Sequence, residues 1–306
     1  MALFEHLPPS VSLYEVSPRD GLQNEAAMVT THAKIRLIEA LIDAGLRRIE
    51  VASFVSPRWV PQMGDAEEVV KLLPRRAGVR YSALIPNSLG LKRACDAGID
   101  EIAVFVSASE THNRKNVNKT VAETLKALSK VIGPAAQQGM KVRGYVSTVW
   151  GCPYEGEVSL GSALEVARIL RGEGCYQIAL GDTVGVGTPL QTRRILEEFL
   201  VEFSVEEVAL HMHDTRGTAL SNVIVGLEMG IRDFDASVGG LGGCPFAPGA
   251  AGNLATEDLL YTLHGMGIET HVDLTSLWEA GQVAAAIVGR DLPGKVHRAG
   301  IRSLTH

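Results

Sequence analysis

The run Ala209-Leu210-His211-Met212-His213-Asp214-Thr215 sets two histidines one residue apart at the end of a short apolar stretch. Alternate side chains of a β-strand share a face, so both imidazoles would point the same way and could grip one divalent ion together. Imidazole suits several such ions, and histidine pairs also occur as ordinary core or solvent-facing groups, so further ligands must come from elsewhere in the chain. Asp20 offers a carboxylate and Asn253 a carbonyl oxygen. With the two imidazoles they make a mixed nitrogen and oxygen set that suits Mg2+, Mn2+ or a similar octahedral ion binding substrate directly, and that disfavours a closed structural zinc site.

Other reactive side chains sit at comparable places. Arg19 and Asp20 follow the first apolar run, Glu50 lies inside the second, and Asp182 and Thr183 follow the sixth. If Ile49 and Val51 face outward, Glu50 points inward, where a lone carboxylate is costly unless Arg19 or the metal cluster partners it; the alternative is an exposed strand-end glutamate. Asp182 reads either as a cap for a helix starting near Pro189 or as a rim residue beside the reactive groups. The segment 239–253 is too glycine-rich for a core element and matches neither GxGxxG nor a P-loop in context. It reads as a mobile loop that brings Cys244 over a substrate as proton donor or acceptor.

The elements that must position these groups alternate from end to end. Runs rich in Val, Ile and Leu lie near Val11–Val16, Arg48–Ala52, Val79–Ile85, Glu101–Val106, Lys141–Val149, Tyr176–Leu180, Glu207–His211 and Asp233–Val238, and a helical pattern follows each. Thr30 and Thr31 supply capping hydroxyls ahead of Ile35, Ile38, Leu41 and Ile42, and Gly45 supplies the stop. Eight such units predict an α/β fold, a TIM (β/α)8 barrel with a C-terminal helical extension. It forms one domain over 1–306, with the barrel at about 11–272, the tail at about 273–306, and an amphipathic helix over Leu274–Val288 packing on the barrel. Active sites of this fold lie at the C-terminal ends of the strands, which is where the reactive residues fall.

Bulk composition excludes several classes. The chain is 46% hydrophobic and 21% charged, and no apolar stretch reaches the roughly 20 residues of a membrane helix, so no membrane partner is expected. A net charge of −6 provides no basic field for nucleic acid. The first residues, Met1 to His6, lack a secretion signal and are too acidic for a transit peptide, which predicts a cytoplasmic protein. Cys95, Cys152, Cys175 and Cys244 show no CxxC spacing and read as free thiols.

Taken together, Ser17-Pro18-Arg19-Asp20-Gly21-Leu22-Gln23-Asn24-Glu25, Glu50 with Ser53-Phe54-Val55-Ser56-Pro57, Gly181-Asp182-Thr183, His211-Met212-His213-Asp214, the Gly-Gly-Leu-Gly-Gly-Cys-Pro loop and Gly252-Asn253-Leu254-Ala255-Thr256-Glu257-Asp258 closely resemble the 3-hydroxy-3-methylglutaryl-CoA lyases, metal-dependent TIM-barrel enzymes. The resemblance runs from Val11 to about Val272. It implies retro-Claisen type cleavage of the C2–C3 bond of an acyl-CoA to acetyl-CoA and acetoacetate, as in leucine degradation. Asp20, His211, His213 and Asn253 match the family's metal positions. Arg19 matches the residue that stabilises the thioester enolate, and Cys244 the loop cysteine that helps protonate it. Asp182 and Thr183 match site positions, and the candidate bases are Asp20, Glu50 and His211. Tyr145 is a further candidate for substrate contact, and CoA is expected near Arg114, Lys115 and Asn116. A homo-oligomer, dimer or tetramer, is the expected assembly. Ala26, Ala179 and Lys119 depart from common lysine, serine and cysteine in the family, so the acyl pocket could differ. A sister lyase for another 3-hydroxyacyl-CoA, and an aldolase or condensing enzyme on the same barrel, are the alternatives.

Overall fold

Short β-branched runs bounded by turn residues form eight strands: β1 (Ser12–Glu15), β2 (Arg48–Ser53), β3 (Arg80–Leu84), β4 (Glu101–Ser107), β5 (Lys141–Ser147), β6 (Gln177–Asp182), β7 (Val208–Met212) and β8 (Asp233–Ala236). Each pairs in parallel with the next, and β1 pairs with β8 from Ser12↔Asp233 to Glu15↔Ala236, so the sheet closes on itself as the sequence predicts. The computed structural model describes residues 4, 7–243 and 252–301. Among these, no helix is long and apolar enough to cross a membrane.

Strand alternation divides the interior in two. Outward-facing residues such as Ile49, Val104, Leu210 and Phe234 pack beneath the surrounding helices in one large apolar core. Inward-facing Leu84, Ala103, Tyr145, Ala179 and Ala209 make a second, small cluster inside the barrel. Three of these five are alanines, so the inner apolar layer is thin and leaves room for polar groups above and below it. The helix Thr31–Asp43 begins with the Thr30 hydroxyl accepting from Ala33 N at 3.3 Å, as expected. The helix Leu274–Val288 packs against it from the C-terminal extension.

β1, β5 and β8 stop short of the sequence pattern where the chain turns to build the rim, and β3 is shorter by one residue at each end. After β1, the carbonyl of Val16 gathers the amides of Arg19, Asp20 and Gly21 at 3.2, 2.7 and 3.2 Å, curling Ser17–Gly21 into a π-helical turn. Strand β5 ends at Ser147 because Thr148 has φ 62 and its amide turns to the Thr183 hydroxyl at 2.8 Å. Strand β8 yields to a 3-10 turn over Val238–Gly240.

Glu15 fastens the seam between first and last strands. Its Oε1 accepts from the amides of Ser17 (3.0 Å) and Val238 (2.9 Å), and its Oε2 accepts from the Thr256 hydroxyl at 2.7 Å. Complete burial pushes its carboxyl from 4.5 up to about 7 despite these donors. A folded-state pKa above the unfolded one means that the native state binds the extra proton between those values. The stability from this group is therefore full below about pH 4.5 and falls as pH rises through 7. Glu15→Gln, which carries no charge at any pH, should gain melting temperature relative to the parent progressively from pH 5 to pH 8 in thermal unfolding. A pH-independent difference between the two proteins would show that Glu15 titrates normally.

Candidate active site

The π-helical turn after β1 and the end of β7, two strands apart around the barrel, meet at its mouth. Asp20, His211 and His213 each offer one ligand atom, and these atoms lie within 4.8 Å of one another. Asp20 is fixed from both sides: its Oδ1 accepts from Arg19 Nη1 at 2.6 Å and its Oδ2 from the Asn253 amide nitrogen at 2.7 Å. That amide also donates to the carbonyl of Leu241 at 3.1 Å. Among the described residues, Asn253 Oδ1 and His213 Nδ1 are buried with no hydrogen-bond partner. Two orphaned lone pairs beside a carboxylate and a second imidazole make a donor set that fits a divalent ion with mixed nitrogen and oxygen coordination.

The electrostatics keep this set ready to bind a cation. Burial raises the Asp20 carboxyl, but Arg19, His211, His213 and the Asn253 amide outweigh it, and the group lies below its ordinary value. Burial, with His211 and Arg19 adding to it, pushes the His213 imidazole down to about 4, so it is neutral at neutral pH and one ring nitrogen has its lone pair available. Burial also works against the charge of Arg19, yet Glu50 and Asp20 overcome it and hold the guanidinium firmly protonated.

Arg19 is clamped by two carboxylates. Its Nε and Nη2 meet Glu50 Oε2 at 2.6 and 2.5 Å while Nη1 holds Asp20. Glu50 is fully buried inside the barrel, so its partner is Arg19 and not the metal cluster. The guanidinium lines a cavity of about 150 Å³ together with Asp20, His211, His213, Tyr145 and Thr183.

The fold and this geometry stand beside the comparisons with known proteins. A family model described as HMGL-like matches residues 10–284. The chain belongs to the HMGL-like family. It is 50% identical, over 96% of its length and 88% of the relative's, to the cytoplasmic 3-hydroxy-3-methylglutaryl-CoA lyase of Danio rerio. The crystal structure of hydroxymethylglutaryl-CoA lyase from Pseudomonas aeruginosa superposes with a TM-score of 0.94 at 47% identity, covering 96% of this chain and 98% of that one. An HMG-CoA lyase from Acinetobacter baumannii, in complex with coenzyme A and 3-methylmalate, superposes with a TM-score of 0.93 at 40% identity, over 100% of this chain and 99% of that one.

The family motifs fall unevenly around the cavity. Arg19, Asp20, Tyr145, Thr183, His211, His213 and Asn116 line it, whereas Glu50 sits behind Arg19. Asn253 adjoins it through Asp20. Asp182, read from sequence as a catalytic carboxylate or a helix cap, is fully buried and does not line the cavity. Its oxygens accept from the amides of Val186 and Gly187 at 3.0 and 2.8 Å, so it caps the loop after β6. The cap of the helix Pro189–Glu202 is Thr188 instead. Lys115 is exposed and lies over the Tyr154 ring at 4.7 Å, outside the cavity lining. Cys244 lies outside the described residues; Gly243, immediately before it, lines the cavity and accepts from the Asn24 side chain at 2.8 Å.

Several residues at or beneath the cavity were not visible from sequence. His112, buried in the helix Glu110–Val117, lines the cavity, and burial pushes its imidazole down to about 4. Arg143 and Asp235 lie under the histidines inside the barrel. The signal for Asp235 was its alternation with Phe234 and Ala236, which puts it on the inward face of β8 opposite His211.

Gly242 leaves the room that Asn253 needs beside Asp20. A Cβ there would fall 2.5 Å from Asn253 Nδ2, and φ is +117. Gly242→Ala should cost about 1–3 kcal/mol of stability from backbone strain and displace the amide from Asp20, weakening Mn2+ binding. Denaturant unfolding and Mn2+ titration would test this against Gly133→Ala, where nothing lies within 4 Å. Equal behaviour of the two variants would contradict the placement of Asn253.

Proposed function

We propose that this chain cleaves 3-hydroxy-3-methylglutaryl-CoA to acetyl-CoA and acetoacetate, with Asp20, His211, His213 and Asn253 holding Mg2+ or Mn2+. The observation that carries the reading is the doubly clamped Arg19, bonded to Asp20 and lining one small cavity together with Asp20, His211 and His213. When bound, the ion supplies Lewis-acid polarisation of substrate oxygens and lowers the pKa of the tertiary hydroxyl. The remaining chemistry belongs to the chain.

The hydroxyl proton passes to a base, the C2–C3 bond breaks as the oxygen lone pair forms the ketone of acetoacetate, and the released pair moves onto the thioester as an enolate. The base is Asp20, which reaches the cavity, in preference to Glu50, which is sealed behind Arg19, and to His211, whose two ring nitrogens face Asp235 and the ion. Arg19 is immobilised before the reaction and so meets the growing enolate charge without reorganisation. Protonation of the enolate carbon completes acetyl-CoA, and Cys244 is the candidate donor, next to cavity-lining Gly243. Thr183 and Tyr145 shape the acyl end. The CoA portion would leave past the helix Glu110–Val117, where Asn116 lines the opening and Lys115 is exposed.

Acetyl-CoA and acetoacetate release should disappear on chelation and return with Mg2+ or Mn2+. Cys244→Ser should lower the rate by about 10²–10⁴-fold. Folded, metal-bound protein that releases neither product would reject the reaction, and net condensation of acetyl-CoA with a 2-oxoacid would replace it. Arg19→Met should lower kcat by about 10²–10³-fold with a smaller change in KM, as expected for a contact that strengthens in the transition state. Steady-state kinetics in saturating metal distinguish this from a binding defect, which would raise KM alone.

A further inference from the structure

Beneath the metal cluster, the interior of the barrel holds an ion pair between Arg143 on β5 and Asp235 on β8, both fully sealed from solvent. Arg143 Nη2 donates to Asp235 Oδ1 at 2.6 Å and Nη1 donates to Oδ2 at 2.8 Å. The guanidinium is fixed in turn by Nε to Gln177 Oε1 at 2.9 Å, by Nη1 to the Tyr145 hydroxyl at 2.9 Å, and by stacking 4.2 Å over the Tyr14 ring. Asp235 therefore has one available orientation, and in it Oδ2 lies 3.1 Å from His211 Nδ1.

We infer that Arg143 and Asp235 are positioning residues for His211: they hold its Nδ1–H tautomer and ring angle so that the Nε2 lone pair is directed at the Asp20 and His213 cluster. The inference rests on the reading of that cluster as a metal site. A histidine that ligates through one ring nitrogen gains its direction from whatever holds the other, and removing such a partner typically costs about 10–100-fold in metal affinity. A purely stabilising role is a poor account of the pair. Two charges sealed inside a barrel are often no more stable than well-packed apolar residues of similar volume. The shared oxygen also does what an isolated pair would not: Oδ2 serves both Arg143 and His211. The Tyr145 ring, packed nearly perpendicular to the His211 ring with centroids 5.6 Å apart, limits its rotation.

Removing one charge alone would leave the other buried and unpaired, which is strongly destabilising in itself. The test therefore uses two double variants. Arg143→Met with Asp235→Leu removes both charges and the acceptor; Arg143→Met with Asp235→Asn removes both charges but leaves a carbonyl oxygen for His211 Nδ1–H. Mn2+ affinity is measured by titration, and the His211 tautomer by histidine-selective 15N correlation spectra of the metal-free proteins, with thermal unfolding run in parallel. The inference expects an Nδ1–H tautomer in the parent and in the Asn variant. It expects mixed tautomers and about 10–100-fold weaker Mn2+ binding in the Leu variant, and recovery of most of that affinity in the Asn variant. Unchanged tautomer and affinity in the Leu variant, or equal losses in both variants, overturns it. A parent protein that binds no Mn2+ overturns the metal reading instead, while the spectra still decide whether Asp235 sets the tautomer.

Discussion

The charges below and beside the histidines are held as pairs, and the site depends on that constraint. A carboxylate or guanidinium taken out of water costs several kcal/mol unless a partner with good geometry replaces the lost solvation. Arg143 with Asp235 and Arg19 with Glu50 satisfy this at two successive depths, below and beside the histidines. Each pair passes its rigidity upward: Asp235 to His211 Nδ1, and Arg19 to Asp20. The Asp20, His211 and His213 cluster and the guanidinium are therefore fixed by the same network, and neither can shift independently of the barrel floor.

The inner wall makes room for this network by using small residues. Ala103, Ala179 and Ala209 stand where larger side chains would fill the barrel, and Leu84 and Tyr145 complete the thin apolar layer between them. Fixed polar groups in a space sealed by the strands act through a low effective dielectric, which strengthens every interaction aimed at a developing charge. The loop cap provided by Asp182 belongs to the same economy of parts: a buried carboxylate satisfied by the amides of Val186 and Gly187 shapes the rim without entering the cavity.

Much of this was legible in the sequence because strand periodicity carries it. The two-residue spacing of His211 and His213 implies a shared face, and the alternation of apolar runs with capped helices implies eight strands closing on themselves. What periodicity cannot carry is pairing across distance. Arg143 and Asp235 are 92 residues apart, and each looks alone like an ordinary charged residue in a strand. Asp182 shows the converse. Its Gly-Asp-Thr context places it at the rim, yet whether a rim carboxylate faces the cavity or the backbone of its own loop depends on the path of five residues that no local pattern fixes. The strand ends at Glu15, Ser147 and Ala236 were misjudged for a related reason, since rim turns are set by hydrogen bonds to neighbouring loops.

The closure of the barrel at β1 and β8 has a consequence for how the protein is made. Asp20 and its amide partner Asn253 are separated by 233 residues, and Glu15 is bonded to Val238 and Thr256 across 223 and 241. A chain emerging from the ribosome at about 5–20 residues per second exposes its first strand many seconds before the last. Through that interval Asp20 lacks both its histidines and its amide, so the cluster cannot assemble until the chain is nearly finished. The cluster is thus a mark of completed synthesis, absent from any fragment that ends before the eighth strand and its following loop.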